Sequence, residues 1–188
     1  MGEGTKRKCF AHPDNPDLCI KVSSDRGRRS AQREVRYLKL LHRRGKSLAQ
    51  IADFKGTIQT NIGTGNLYEI VRDCDGQISK SIGHYLMLGD NEITSRIIMA
   101  IEDLRVYLAR DLILFSDIRP ENVLAKKECN GQLRLIIIDG IGDNNHIQFI
   151  EYIRPLGLRK CTKKWNAFIS SISKTFPLVA KEIRPFVS

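Results

Sequence analysis

The stretch Phe115-Ser116-Asp117-Ile118-Arg119-Pro120-Glu121-Asn122-Val123-Leu124 is followed by Leu135-Ile136-Ile137-Ile138-Asp139-Gly140, an apolar run ending in a carboxylate. Between them lies Asn130-Gly131, a pair that tight hairpin turns favour because their central residues need positive φ. The pattern predicts a hairpin turning there, with Asp139 at the end of an apolar strand. Asp117, Asn122 and Asp139 are polar residues beside apolar strands, and a purely structural account has to explain all of them together.

Upstream, Ile93, Ile97, Ile101, Leu104 and Leu108 recur at steps of four, four, three and four, which predicts one long amphipathic helix. Asp73-Cys74-Asp75-Gly76 breaks the pattern before it and is the expected hinge, near Arg72 to Gly76. Further back, residues 57–62 and 67–71 suit strands, and Gly63-Thr64-Gly65-Asn66 suits the turn between them. Leu18 to Val22 is a short apolar run carrying a single lysine, Lys21, as in a strand with one functional side chain. Ser30 is a candidate cap for a helix in which Val35, Leu38 and Leu41 repeat until Gly45 stops it, and Glu34 lies on that helix. Downstream, Trp165, Phe168, Ile169 and Ile172 have helical spacing and predict a last helix packed on the body.

The stretch opening at Asp117 resembles the catalytic loop of protein kinases, D-[LI]-[KR]-P-x-N-[VIL]-L; an accidental match in a chain of this length has a chance of about one in 10⁵. Such a string serves metal-assisted phosphoryl transfer. The resemblance implies that Asp117 orients the attacking group, Arg119 neutralises the phosphate, and Asn122 holds Mg²⁺ through its amide oxygen. Asp139 would be the second metal ligand, in a context resembling D-F-G with Gly140 and Ile141 in the last two places. Gly2-Glu3-Gly4 resembles the end of a glycine-rich phosphate loop, with Arg7 where its third glycine would stand. Lys21 resembles the lysine that contacts the α- and β-phosphates, and Glu34 its helix partner. Arg72, beside the hinge, joins Gly2, Gly4, Lys21 and Glu34 as a nucleotide-binding candidate.

The whole chain resembles the YrbL family of small bacterial proteins, named for the PhoP regulatory network. The likeness rests on GEGTKRKCFAHP (2–13), CIKV (19–22), TGNLYEIVRDCDG (64–76) and LRKCTKKWNAFI (158–169). The resemblances imply an α+β protein, a minimal protein-kinase-like two-lobed fold with a reduced C-lobe. Residues 1–73 would form a β-rich N-lobe with one helix, and residues 74–188 the C-lobe with the catalytic loop and metal-binding turn. The implied function is an ATP- and Mg²⁺-dependent phosphotransferase with ATP and Mg²⁺ as cofactors. The alternative is a nucleotide-binding pseudokinase or regulatory module without turnover. Phe115 and Ser116 replace the His and Arg that precede the catalytic Asp in kinases, which argues against control by activation-loop phosphorylation. No A-P-E follows Asp139, which argues against a docking platform for protein substrates. Taken alone, Lys21 reads as an edge lysine with its charge in water, and Glu34 as a solvated carboxylate on a basic helix.

Composition bounds the partners. The chain has 188 residues, a formal charge of +10 and 41% hydrophobic residues, enough to bury a core. No apolar run reaches the roughly 20 residues of a membrane span, and the first residues lack a signal peptide's apolar region. A soluble cytoplasmic protein is expected. The five cysteines are odd in number and widely spaced, which predicts reduced, mostly buried thiols. The clusters Lys6-Arg7-Lys8, Arg26 to Arg29, His42-Arg43-Arg44 and Arg159 to Lys164 read as solvated faces. They leave room for an acidic protein or other anionic macromolecule beside the nucleotide; nucleic acid ranks last, because few aromatics are present to stack on bases.

Overall fold

A computed structural model of the chain describes residues 7–116, 118–142 and 155–177, Val179, Ile183, and the backbone of Gly2, Glu3 and Arg154. It is α+β and divides into two compact units, Met1–Val71 and Arg72–Ser188.

The first unit is an antiparallel sheet with one long helix. Its strands are β1 (Gly2–Glu3), β2 (Arg7–Ala11), β3 (Leu18–Ser23), β4 (Phe54–Thr60) and β5 (Gly63–Glu69), in the order β1-β2-β3-β5-β4. β3 is therefore the middle strand, and Cys19, Ile20, Lys21 and Val22 are all buried. The helix α1 (Asp25–Arg43) starts earlier than Ser30 suggests. Ser24 is its N-cap, in extended conformation, and its carbonyl accepts from the N–H groups of Gly27 and Arg28 at 2.9 and 3.0 Å. Gly27 and Ala31 carry the buried stripe of Leu38 and Leu41 back toward that start, so the first turns pack through small residues. At the other end Gly45 has φ +61°; its N–H bonds the His42 carbonyl and Lys46 N–H bonds that of Leu41, satisfying the last carbonyls.

The hairpin of β4 and β5 also differs from expectation. Thr60 pairs with Gly63, so Asn61 and Ile62 form the turn and Gly63 to Asn66 run inside β5. Gly65 belongs in a strand for a packing reason: a Cβ there would collide with Cγ2 of Ile20 on β3.

The second unit pairs β6 (Val123–Lys127) with β7 (Leu133–Ile137) in the predicted hairpin, with Gly131 at φ +79° in the turn. Around it are α2 (Ile82–Leu88), α3 (Asn91–Arg110) and α4 (Arg154–Thr175). Ser81 caps α2 by accepting from His84 N–H at 3.2 Å, and Asp90 caps α3 by accepting from Glu92 and Ile93. Ile97, Ile101, Leu104 and Leu108 form the buried stripe of α3, which packs on β7. Trp165, Phe168, Ile169 and Ile172 are the buried stripe of α4, as their spacing predicts.

The segment expected to hinge is tied down within this unit. Asp73 is buried and its Oδ1 accepts from Ser79 Oγ at 2.5 Å and from Lys127 N–H at 3.0 Å. Cys74 N–H donates to the Lys127 carbonyl at 2.8 Å, and Cys74 forms a disulfide with Cys129, their Cα atoms 5.0 Å apart. The expectation of reduced thiols throughout is corrected here. A separation of 55 residues hides the pairing until the 72–79 loop lies along the end of β6. Cys9, Cys19 and Cys161 are free. Among the described residues no helix is long and apolar enough to cross a membrane.

Candidate functional site

In the first unit the alternation of β2, β3 and β5 gathers the chemistry on one face. Lys21 pairs with Cys9 on β2 and Asn66 on β5, and Cys19 pairs with Tyr68, so Lys21, Cys9, Cys19, Asn66 and Tyr68 share that face. Lys21 is 9% exposed, and its Nζ sits 4.3 Å from the centroid of the Tyr68 ring, a cation–π contact. The edge-lysine reading fails because β3 is the central strand. Glu34 is 4% exposed; its Oε1 accepts from the Tyr68 hydroxyl at 2.8 Å and its Oε2 from Arg7 at 3.0 Å. Lys21 and Glu34 are thus brought to a common neighbour, Tyr68.

Arg7 corrects a second expectation, because its side chain is only 11% exposed and is no part of a solvated face. It and Tyr68 are the participants that the motif reading missed. The burial of β2 accords with this: Arg7 and Cys9 are half-buried, whereas Lys8 and Phe10 are exposed. Gly2 lies in β1 opposite Cys9, in a ladder rather than a loop. Gly4 lies outside the described residues.

In the second unit the hairpin places the residues. Its ladder runs from Lys127 opposite Leu133 to Val123 opposite Ile137, and Ile138 N–H then donates to the Asn122 carbonyl at 2.9 Å. Asn122 and Asp139 therefore stand at the same end of the paired strands. Pro120–Asn122 is a single 3₁₀ turn, with Pro120 buried and Asn122 N–H closing it onto the Arg119 carbonyl at 2.9 Å. Arg119, its N-cap, is exposed. Asp139 Oδ1 accepts from Gly140 N–H at 2.7 Å, and Gly140 has φ +90°, a conformation that side chains disfavour.

A second pairing joins residues 114–116 to residues 140–142. Phe115 bridges Ile141, Ser116 N–H donates to the Gly140 carbonyl at 2.9 Å, and Gly142 N–H donates to that of Leu114 at 2.9 Å. Asp117 itself lies outside the described residues. Its neighbours Ser116 and Ile118 line a cavity of about 510 Å³ shared with Arg119, Lys164, Phe168 and Ser171. Lys164 reaches from α4 to donate to the Ser116 carbonyl at 2.8 Å. Arg72 donates to the Gly76 carbonyl at 2.9 Å.

An amide oxygen and a carboxylate are hard donors that suit Mg²⁺, which completes its octahedron with waters and substrate phosphates instead of a closed protein cage. Among the described residues there is no group of three or more His, Cys, Asp or Glu that could hold a metal ion.

A family model described as "PhoP regulatory network protein YrbL" matches residues 1–173. The chain belongs to the YrbL family. It is 28% identical over 189 residues to "Uncharacterized protein YrbL" of Escherichia coli (strain K12), covering 98% of this chain and 90% of the relative. The YrbL of Shigella flexneri, with the same description, is matched at the same identity and coverage. These YrbL relatives extend over both units, so the family likeness embraces the Lys21 face and the Asn122–Asp139 end together.

Proposed function

We propose that the chain is an ATP- and Mg²⁺-dependent phosphotransferase of minimal protein-kinase-like fold, working in the cytoplasm. The observation that carries the reading is the ladder that sets Asn122 and Asp139 at one end of β6 and β7, one turn after Arg119. When bound there, Mg²⁺ would offset negative charge on the transferring phosphate. The chain's own residues do the rest. Asn122 and Asp139 hold the metal, and Gly140 lets the backbone turn sharply so that the Asp139 carboxylate is fixed by its own chain. Arg119 presents an exposed guanidinium to the phosphate. Lys21 supplies a cation whose buried setting strengthens its attraction for phosphate, and Glu34 positions it through Tyr68. Gly2 and Gly4, with no side chains, would leave room for phosphate, and Arg72 contributes positive charge to nucleotide binding. Asp117 orients the acceptor, and the cavity lined by Ser116, Ile118, Phe168 and Ser171 is where an acceptor would lie. A regulatory role accords with the family's description as part of a PhoP network.

One observation favours a second reading, a nucleotide-binding regulatory module without turnover: the Glu34 carboxylate is shared with Arg7 and Tyr68. Purified protein with Mg²⁺-ATP separates the readings. Phosphotransfer requires ATP turnover or autophosphorylation that Asp117→Ala abolishes. Thermal stabilisation by Mg²⁺-ATP without turnover leaves the second reading. No stabilisation of the native chain and no turnover removes both.

A further inference from the structure

Cys9 and Cys19 form a cluster that neither reading uses. Cys9 faces Lys21 directly in the β2–β3 ladder, and Cys19 precedes Lys21 by two residues, so the period of two places both thiols and the ammonium on one face. The two thiols are diagonal neighbours across the β2–β3 ladder on that face, and neither is in a disulfide. Cys19 is buried, whereas Cys9 is half-buried and has Gly2, with no side chain, as its partner on β1.

Their environments divide the roles. The hydrogen bond from Cys19 pulls the Cys9 thiol from 9.0 down to about 6, against the opposing effect of burial and with help from the Lys21 charge. The same contact, together with burial, pushes Cys19 up. The facing Lys21 charge and partial exposure favour the thiolate at Cys9, and burial favours the protonated thiol at Cys19. Cys161 is the contrast: buried, pushed up to about 11 by that burial, with its sulfur 3.6 Å from the Ile113 carbonyl oxygen.

We propose that Cys9 is a peroxide-reactive thiol with Cys19 as its resolving partner, a modification site for small hydroperoxides. The Cys9 thiolate attacks one oxygen of the hydroperoxide and the O–O bond breaks. The other oxygen leaves as alkoxide or hydroxide and takes a proton from solvent, while Cys9 becomes a sulfenic acid, oxidised by two electrons. The Cys19 sulfur then attacks the Cys9 sulfur, the S–O bond breaks, and water departs with the Cys19 proton. The product is a Cys9–Cys19 disulfide joining β2 to β3 beside Lys21. This chemistry is independent of phosphotransfer.

The test uses the full chain, because residues 9–21, bounded by Lys8 and Lys21, form one tryptic peptide containing both cysteines. At pH 7 a thiol with pKa near 6 is about nine-tenths thiolate, against about one-hundredth for one at 9, while the lower basicity slows attack; the net advantage is about 3- to 6-fold. Iodoacetamide should therefore label Cys9 in the native protein about 3- to 6-fold faster than in the urea-unfolded chain, before Cys19 and Cys161. Equimolar hydrogen peroxide should make peptide 9–21 about 2 Da lighter through the internal disulfide. In Cys19→Ala the sulfenic acid should persist and be trapped by dimedone. Labelling of Cys9 no faster than in the unfolded chain, or a peptide unchanged by peroxide, overturns the proposal. These native-protein readouts decide it even if Cys19→Ala does not fold.

Discussion

Cutting the Cys74–Cys129 disulfide should lower stability by about 4 kcal/mol. The bridge closes a loop of 55 residues, and the chain-entropy relation for a loop of that length gives about 14 cal/mol/K, or about 4 kcal/mol at 25 °C. The native side of the balance changes little, because the 72–79 loop keeps its other ties to β6: Asp73 to Ser79 and Lys127, and Cys74 N–H to the Lys127 carbonyl. The loss therefore arises from greater freedom of the unfolded chain. Urea unfolding of the native protein, with and without a dithiol reductant, measures it. Trp165 is the chain's sole tryptophan and is buried in the same unit as the bridge, so its fluorescence follows the affected part. With a urea dependence of about 2 kcal/mol per molar, the midpoint should fall by about 2 M, and Cys74→Ser should reproduce the shift without reductant. Coincident midpoints for the oxidised and reduced chains would refute the reasoning.

Arg7→Met removes the Arg7 ion pair of the buried Glu34 carboxylate and should cost about 3 kcal/mol in thermal or urea unfolding of the first unit; adding Glu34→Gln should restore most of it. Gly65→Ala should destabilise by roughly 1–3 kcal/mol because the new methyl meets Ile20, and Ile20→Ala in the same chain should relieve part of that loss in a circular-dichroism melt. Asp139→Ala should abolish the extra thermal stabilisation that Mg²⁺ adds to ATP while leaving the ligand-free melting temperature within a few degrees. Burial raises the Asp53 carboxyl's pKa, but hydrogen bonds from Lys55 and His42 outweigh it and hold the carboxyl below its usual 3.8. Its contribution is therefore present above the unfolded value and disappears as pH falls through the folded one. Asp53→Asn should cost roughly 1 kcal/mol at pH 6, a gap that closes as pH falls below the carboxyl range in a pH series of urea midpoints.

How much of this was legible depends on whether the determinant was local. The β6–β7 hairpin was, because Asn130-Gly131 marks the turn and the apolar strands beside it leave little choice of register. Asn122 and Asp139 follow from that register, which sets them at one end of the hairpin. The start of α1 was less legible, since Gly27 and Ala31 bury a helix face without the bulky side chains that advertise one. The β4–β5 turn was misplaced because Gly63 and Gly65 read as turn residues, whereas Gly65 answers to the side chain of Ile20, a residue forty-five positions away in the chain. The disulfide was illegible for the same reason, its partners meeting only after the 72–79 loop has packed along β6.

The Lys21 face shows what such non-local placement adds to a motif reading. A lysine and a glutamate in kinase order say nothing of their surroundings, yet here Arg7, Tyr68 and two thiols share the sheet face that carries Lys21. Buried charges of this kind contribute less to stability than apolar residues of similar volume would, once their desolvation is counted. Stability alone therefore gives no reason for Arg7, Glu34 and Lys21 to stand together out of water. A cation held ready for an anionic ligand does, and so does a thiolate that needs a positive charge beside it. The first demand belongs to phosphate binding and the second to Cys9. Because both draw on Lys21, Lys21→Met should remove the Mg²⁺-ATP stabilisation and also slow alkylation of Cys9, whereas Cys9→Ser should leave nucleotide stabilisation in place. A loss of both effects in Cys9→Ser would mean that the thiol supports the face structurally instead of serving its own chemistry.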